Sequence, residues 1–386
     1  MYPIKKGLLI FPIYTDLSNT DAIVTKNEGI RKGFLSNGVK AEVLKFNTRG
    51  IYNGSELVFG FHKGKVLRSL DLYFRVWKKL ARFVIDGKYD FVWLRIPLVN
   101  PAIANFVKEI KTNHPFGKII LEYGAYPFEN ELSTKARLYY KLNRNSERIA
   151  HRFADFVITY CGQDKVDNLT NIPIDNGVDL ERIGIVHPDP NVGKKINFIA
   201  VSSLKKWHAY ERFVMGMPAY LEKQNNPLIE FHIVGKGPEI QKIADLVKKL
   251  MLEEHVTFHD FKSGKELDAI YNGCHAAIGT LGFHRIGITN SSSLKNREYF
   301  ARGLPIILST HDKDMPAELP FVCYVQSGEE PIDISSVVSF VQKTYQLPQL
   351  HQQIRNYAEN KVSWNSKIKT VLSYIQPDGL LIGSKT

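Results

Sequence analysis

Three serines, a lysine and a glutamate fall within residues 291–298, in the stretch "SSSLKNRE". The flanking sequence predicts a helix from about 293 to 302, followed by a buried strand. Carboxylates favour the first turn of a helix because they face the positive end of its dipole. Here Lys295 stands there instead, and no Glu or Gln follows any of the serines at the spacing of a capping box. Free amides at a helix start, reinforced by a cation, bind a phosphate or diphosphate. Ser291, Ser292, Ser293 and Lys295 supply such a set. Glu298 lies three residues after Lys295, on the same face. It could accept hydrogen bonds from a ribose diol while the phosphates sit at the helix end. The competing reading is a surface Lys295–Glu298 pair beneath a serine cap.

Two other strand–loop–helix units carry suitable chemistry. "FIAVSSLKKWHAYERF" at 198–213 brings Lys205, Lys206 and His208 to the end of a strand. "FHIVGKGPEIQKI" at 231–243 offers Gly235 and Gly237 for close backbone approach, with Pro238 suited to a first helical position. It lacks the third glycine of the dinucleotide fingerprint, so a nicotinamide cofactor is not indicated. "HDKD" at 311–314 contains Asp312-x-Asp314, a spacing that can hold a divalent cation. It reads more simply as a surface loop, and no metal is expected.

These loops need a sheet to hold them. Short apolar runs at 7–14, 41–46, 91–96, 118–121 and 156–160 read as strands. Segments near 21–36, 65–84, 101–112, 133–154 and 163–169 read as helices. After the Pro/Gly-rich "VHPDPNVGKK" the alternation restarts, with strands at 197–202, 230–234, 256–258, 276–280, 306–308 and 321–325. Near-continuous apolar strands alternating with helices indicate parallel, doubly wound α/β sheets. The expected division is 1–187, 188–364 and a final helix with tail, 365–386, which could return to the first domain. Two such domains would face a cleft at the carboxyl ends of their strands.

The chain has 386 residues, 44% of them hydrophobic, enough for two ordinary domains. Cys161, Cys274 and Cys323 show no paired spacing, which fits reduced thiols in the cytoplasm. No segment is long and apolar enough to span a bilayer. The net charge of +12 points to an anionic partner. The excess is concentrated early: 28 basic against 20 acidic residues in 1–190, and 23 against 19 thereafter. It peaks between His62 and Arg82, where seven cations accompany Asp71 alone, interleaved with Val66, Leu67, Leu70, Tyr73, Phe74 and Trp77. Such a stretch could lie on an anionic membrane surface, or it could be a sheet-covering helix with a solvated basic rim.

The order of "NGVD", "SSLKKWHAYERF", "IVGKGPE", "VTFHDF" and "SSSLKNREYFARGLPII" resembles a retaining glycosyltransferase of the GT-B fold, of the bacterial family-four type. The likeness is specific over 176–308 and diffuse before it. It implies two Rossmann-like domains, the second binding a nucleoside-diphosphate-sugar. Glu298 would hold the donor ribose, and the Ser291–Ser293 amides with Lys295 would receive the diphosphate. Gly235 and Gly237 would border the nucleoside, and Arg285 would approach the donor phosphate or sugar. The usual Lys-Gly pair is replaced by His208-Ala209, so Lys205 or Lys206 would share the phosphate role. Asn290 stands where many relatives carry a second glutamate near the donor sugar. On the first domain, Asn19, Thr20, Asp21 and Lys26 are candidate acceptor or donor contacts. "ILEYGAYPFENE" is similar to a Tyr-Pro acceptor-side segment and adds Tyr126 and Glu129.

The implied reaction moves a sugar, with retention, from a nucleoside-diphosphate-sugar to a saccharide or polyprenyl-linked acceptor in surface polysaccharide synthesis. Glu298, Lys295, Asn290 and Arg285 are the residues expected nearest the chemistry. No dedicated base is needed if a diphosphate oxygen takes the acceptor proton. The expected location is cytoplasmic, peripheral at the inner membrane face, with no nucleic-acid partner. Asn290 and His208 keep open a weak paralogue that binds nucleotide or a partner synthase without turnover. A GT-B epimerase is a third reading, but carboxylates for its acid–base steps are not evident.

Overall fold

Phe91, Val92, Trp93 and Leu94 are consecutive and all buried, which requires a strand covered on both faces. The computed structural model describes residues 4–14, 21–96, 98–124, 134–160 and 164–376. It divides the chain into two units, Met1–Asp179 with Trp364–Thr386, and Leu180–Ser363.

In the first unit the strands are β1 (Lys6–Tyr14), β2 (Lys40–Phe46), β3 (Gly50–Asn53), β4 (Glu56–Gly60), β5 (Phe91–Arg95), β6 (Lys118–Glu122), β7 (Phe156–Ile158), β8 (Lys165–Val166) and β9 (Leu169–Asn171). They form one sheet in the order β4-β3-β2-β1-β5-β6-β7-β9-β8. The run from β2 to β9 is parallel, whereas β3, β4 and β8 pair antiparallel at its two edges. The strand order reverses between β1 and β5.

Helices cover both faces. Val76–Gly87, Pro101–Asn113 and Thr134–Phe153 cover one, burying Leu80, Val84, Phe106, Val107 and Ala150. Asp21–Ser36 and the final helix Trp364–Ile375 cover the other, burying Ile30, Phe34, Ile368 and Val371. Gly29 and Gly33 admit Trp364 at that helix crossing, since a Cβ on either would collide with it. The helix Lys65–Leu70 is different: none of its residues is buried.

Two local expectations fail. The helix expected over 163–169 is not formed by its described residues, 164–169; Asp167 and Asn168 make the turn of the β8–β9 hairpin, with Asp167 at φ 50°. Asp and Asn tolerate that left-handed backbone, and their short polar side chains favour turns. The β3–β4 hairpin, turning at Asn53-Gly54 with Gly54 at φ 61°, adds an antiparallel edge to a sheet expected to be parallel.

The second unit is parallel throughout. Its strands are β10 (Lys195–Val201), β11 (Leu228–Val234), β12 (Val256–His259), β13 (Ala276–Ile278), β14 (Ile306–Leu308) and β15 (Val322–Tyr324), in the order β12-β11-β10-β13-β14-β15. Its order reverses between β10 and β13. In open α/β sheets, ligands bind outside the carboxyl ends of the strands at such a reversal. The loops that follow these two strands are therefore the ones to inspect.

Candidate functional site

The loops after β10 and β13 are joined by backbone hydrogen bonds, from Leu281 N to His208 O at 3.0 Å and from Gly282 N to Trp207 O at 3.1 Å. Arg212, in the helix Glu211–Leu221, is fully buried beside them. Its guanidinium donates to the carbonyls of Leu281, Gln326 and Glu330, which fixes the loops after β13 and β15 together. A rigid carboxyl edge results.

Onto this edge comes the helix Leu294–Ala301. Ser293 is its N-cap, with φ −70° and ψ 129°, but no side chain caps the first-turn amides. Lys295 and Glu298 do not pair with each other, which removes the reading of a simple surface ion pair. Lys295 Nζ donates to Tyr210 Oη at 2.9 Å and lies 5.2 Å from the centre of that ring. No carboxylate among the described residues pairs with it. Burial without a counter-charge lowers its pKa to about 7. Glu298 accepts from Arg302 through Oε1 alone, at 3.0–3.1 Å, and its Oε2 has no partner among the described residues. Arg302 is itself fixed by Asp268 and by the face of Tyr271. The helix thus presents an uncompensated cation and a half-free carboxylate.

His208 is buried, and its ring stacks on Tyr210 with an interplanar angle of 16°. Nδ1 accepts from the Lys205 amide at 2.8 Å. Desolvation, with Lys295 nearby, pushes its pKa down to about 2, so the imidazole is neutral and contributes no phosphate charge. Lys205 and Lys206 are exposed and form no ion pair among the described residues. Ala209 has φ 50°, a backbone that glycine adopts without strain.

Other candidates turn out to have structural work. A Cβ on Gly235 would collide with the Ser202 carbonyl, and one on Gly237 with those of Ser203 and Leu204. Both glycines therefore let the loops after β10 and β11 touch. Arg285 is held by Glu211 at 2.7 Å, by Glu329 and by the Lys206 carbonyl, and these carboxylates raise its pKa further. Its charge is already answered. The Ser291 amide donates to His311 O at 2.8 Å, so it is committed to the sheet edge rather than free for phosphate. Asn290 is exposed beside it.

Asp312-x-Asp314 is not a surface loop, as the sequence had suggested. Asp312 is fully buried and paired with Arg297, which also is fully buried and donates to Asp314 at 2.9 Å. The pair anchors the helix Leu294–Ala301 to the loop after β14. Of the residues that build this site, Tyr210, Arg212, Arg297 and Arg302 were not singled out in the sequence.

In the first unit, Lys26 is not an exposed contact residue. It is buried with Nζ 2.9 Å from Glu122 Oε1, and desolvation lowers its pKa. Asn19, Thr20, the side chain of Asp21, Tyr126 and Glu129 lie outside the described residues, as does Cys161.

Residues 187–319 match the family described as glycosyl transferases group 1. That stretch lies within the second unit. Solved glycosyltransferases share the fold of the whole chain. The apo lipopolysaccharide outer core galactosyltransferase WaaB has 12% identity and a TM-score of 0.57, over 96% of this chain and 99% of that one. A glycosyltransferase from Rickettsia africae has 11% identity and a TM-score of 0.58, over 98% and 100%. The catalytic domain of starch synthase IV from Arabidopsis thaliana, bound to ADP and acarbose, has 10% identity and a TM-score of 0.56, over 97% and 99%. The chain therefore has two Rossmann-like units of the GT-B class. No curated protein matches it by sequence. Among its described residues no helix is long and apolar enough to cross a membrane.

Proposed function

We propose that this glycosyltransferase moves a sugar, with retention, from a nucleoside-diphosphate-sugar to a saccharide or lipid-linked acceptor in surface polysaccharide synthesis. The observation that carries the donor site is Lys295, a half-buried ammonium with no carboxylate partner at an uncapped helix start. A diphosphate supplies the missing charge, and the first-turn amides after Ser293 add hydrogen bonds. The free Oε2 of Glu298 accepts from the ribose diol. Lys205 and Lys206 are within the same loop system and extend the positive field. His208, being neutral, leaves Lys295 as the principal cation. Charge gathering on the leaving diphosphate is stabilised by these fixed groups, without a metal. Asn290 contacts donor hydroxyls. Starch synthase IV, a structural neighbour bound to ADP, agrees with a nucleoside-diphosphate ligand for this class of fold.

The helix Lys65–Leu70 and the turn after it favour a membrane-bound acceptor. Val66, Leu67, Leu70 and Phe74 are 74%, 51%, 47% and 68% exposed, among Lys63, Lys65, Arg68, Lys78 and Lys79. Exposed apolar residues ringed by cations suit the anionic leaflet of a cytoplasmic membrane face. Binding to vesicles of anionic lipid at low salt, lost in the Val66→Ser/Leu67→Ser/Phe74→Ser variant, is the expected result. Equal binding by that variant would remove the membrane assignment.

Thermal unfolding with UDP, GDP and ADP tests the donor site, and transfer measured with and without EDTA tests the metal-free reaction. Stabilisation by one diphosphate, absent in Glu298→Ala/Lys295→Met, is expected, with transfer insensitive to EDTA. Stabilisation without any turnover would instead support the paralogue reading that Asn290 and His208 allow.

A further inference from the structure

The reversal of strand order between β1 and β5 in the first unit is a second place where this fold binds ligands. A buried polar cluster stands there. Glu122, at the end of β6, is fully buried. Its Oε1 accepts from Lys26 and from Tyr160 Oη, each at 2.9 Å, and its Oε2 accepts from Trp93 Nε1 at 2.8 Å. The carboxylate is saturated.

Arg95, at the end of β5, is left over. Its side chain is 20% exposed, and Nη1 stays 3.6 Å from Glu122 Oε1, too far for a hydrogen bond. Nη1 is shielded from solvent and lacks a hydrogen-bond partner, and among the described residues this guanidinium donates no hydrogen bond, its one partner being the longer ion pair to Glu122. The other well-buried guanidiniums of the chain are treated differently. Arg212 and Arg355 each cap three carbonyls, Arg297 holds two carboxylates, and Arg302 holds Glu298 and Asp268. A desolvated guanidinium whose N–H groups are not hydrogen-bonded is costly even beside a carboxylate, so unmet donors mark a place where a ligand completes the set. Gly124 leaves room for the guanidinium itself: a Cβ there would come 3.0 Å from Arg95 Nη2.

We propose that Arg95 is the anchor of an oxyanion site in the first unit, which binds a carboxylate or phosphate group through the forked guanidinium. Lys26, Glu122, Trp93 and Tyr160 hold the surrounding frame rigid. Planar, bidentate recognition of a carboxylate or phosphate is what arginine does best. The assignment of that anion to the sugar acceptor, an acidic saccharide or a phosphorylated carrier, rests on the transferase reading above. The anion site itself does not.

The test measures thermal unfolding and calorimetric binding of inorganic phosphate and of glucuronate, with glucose as a neutral control and ionic strength held constant. Full-length protein carrying Lys295→Met is used as the background, which removes the anion site of the second unit. Phosphate or glucuronate should raise the melting temperature, and glucose should not. Arg95→Leu should weaken that binding roughly tenfold or more, while leaving the anion-free protein at least as stable. Arg95→Lys, which keeps the charge but loses the fork, should fall between. Preference for glucuronate over phosphate identifies an acidic sugar, and the reverse a phosphorylated carrier. Undiminished anion binding by Arg95→Leu, no stabilisation of the parent by either anion, or a marked loss of stability in anion-free Arg95→Leu would each overturn the proposal. If the anion binds through Arg95 but neutral and anionic acceptors are used equally, the site stands and its link to the acceptor fails.

Discussion

Replacing Lys295 with methionine should make the protein more stable and worse at binding its donor, two effects of opposite sign from one atom. The stability effect comes from the ammonium. Folding moves its pKa from 10.5 to about 7 because burial disfavours the charged form. At pH 6.5 the lysine is charged in both states, so the folded state carries the full desolvation cost. Between about 7 and 10.5 the folded protein releases the proton first, and stability rises with pH. One pKa unit corresponds to about 1.4 kcal/mol, but the side chain is only half-buried, which reduces the net cost to on the order of 2 kcal/mol. Loss of the Tyr210 hydrogen bond returns about 1 kcal/mol of that. Lys295→Met should therefore raise the melting temperature of the second unit by roughly 2–4 °C at pH 6.5, and lower it by about as much near pH 10.5, where only the lost hydrogen bond remains.

The binding effect runs the other way. A charge-assisted hydrogen bond to phosphate contributes about 1.5–3 kcal/mol, so the affinity for nucleoside diphosphate should fall roughly 10- to 150-fold. Diphosphate binding also restores the lysine pKa, so the wild type should take up a proton near pH 7.5, visible as a dependence of the calorimetric heat on buffer. Lys295→Met should show no such uptake. A variant that is less stable than wild type at pH 6.5, with unchanged diphosphate affinity and proton uptake, would refute the reasoning.

Two further outcomes follow from the same site. Glu298→Ala should reduce diphosphonucleoside affinity by about tenfold through the lost ribose contact, an effect that deoxyribose nucleotides should not show; calorimetry with paired ribo- and deoxyribonucleotides reads the difference. Arg297→Leu leaves Asp312 buried and uncompensated, so it should cost about 3–5 kcal/mol in chemical unfolding, whereas Arg297→Leu/Asp312→Leu should recover most of the loss.

Much of the architecture was legible because it rests on local chemistry. Short, mostly apolar runs such as 91–96 and 306–308, alternating with helical stretches, read as two-sided strands, and the serine row with Lys295 raised the anion question before any contact was known. The Asn53-Gly54 and Asp167-Asn168 turns were also present in the sequence as hairpin signals, but each joins strands too short to show an alternating pattern. What could not be read was partnership across the fold. Asp312 resembles a surface acid until Arg297, fifteen residues away in the chain, is found against it. Tyr210 gains its role only by facing both His208 and Lys295, and Arg285 loses its expected one by meeting Glu211 and Glu329. Arg95 gave no signal, because an arginine without hydrogen bonds is recognisable only once its neighbours are in place.

The central claim is that the uncompensated Lys295 end of the helix Leu294–Ala301 holds the diphosphate of a sugar nucleotide during retaining transfer. Proton NMR of the reaction with the nucleotide-sugar that binds best follows diphosphate release and the anomeric signal of the first-formed product together. Retention of the donor's anomeric configuration, with release abolished in Lys295→Met/Glu298→Ala, is the predicted result. An inverted product, or release unaffected by that double substitution, would contradict the account.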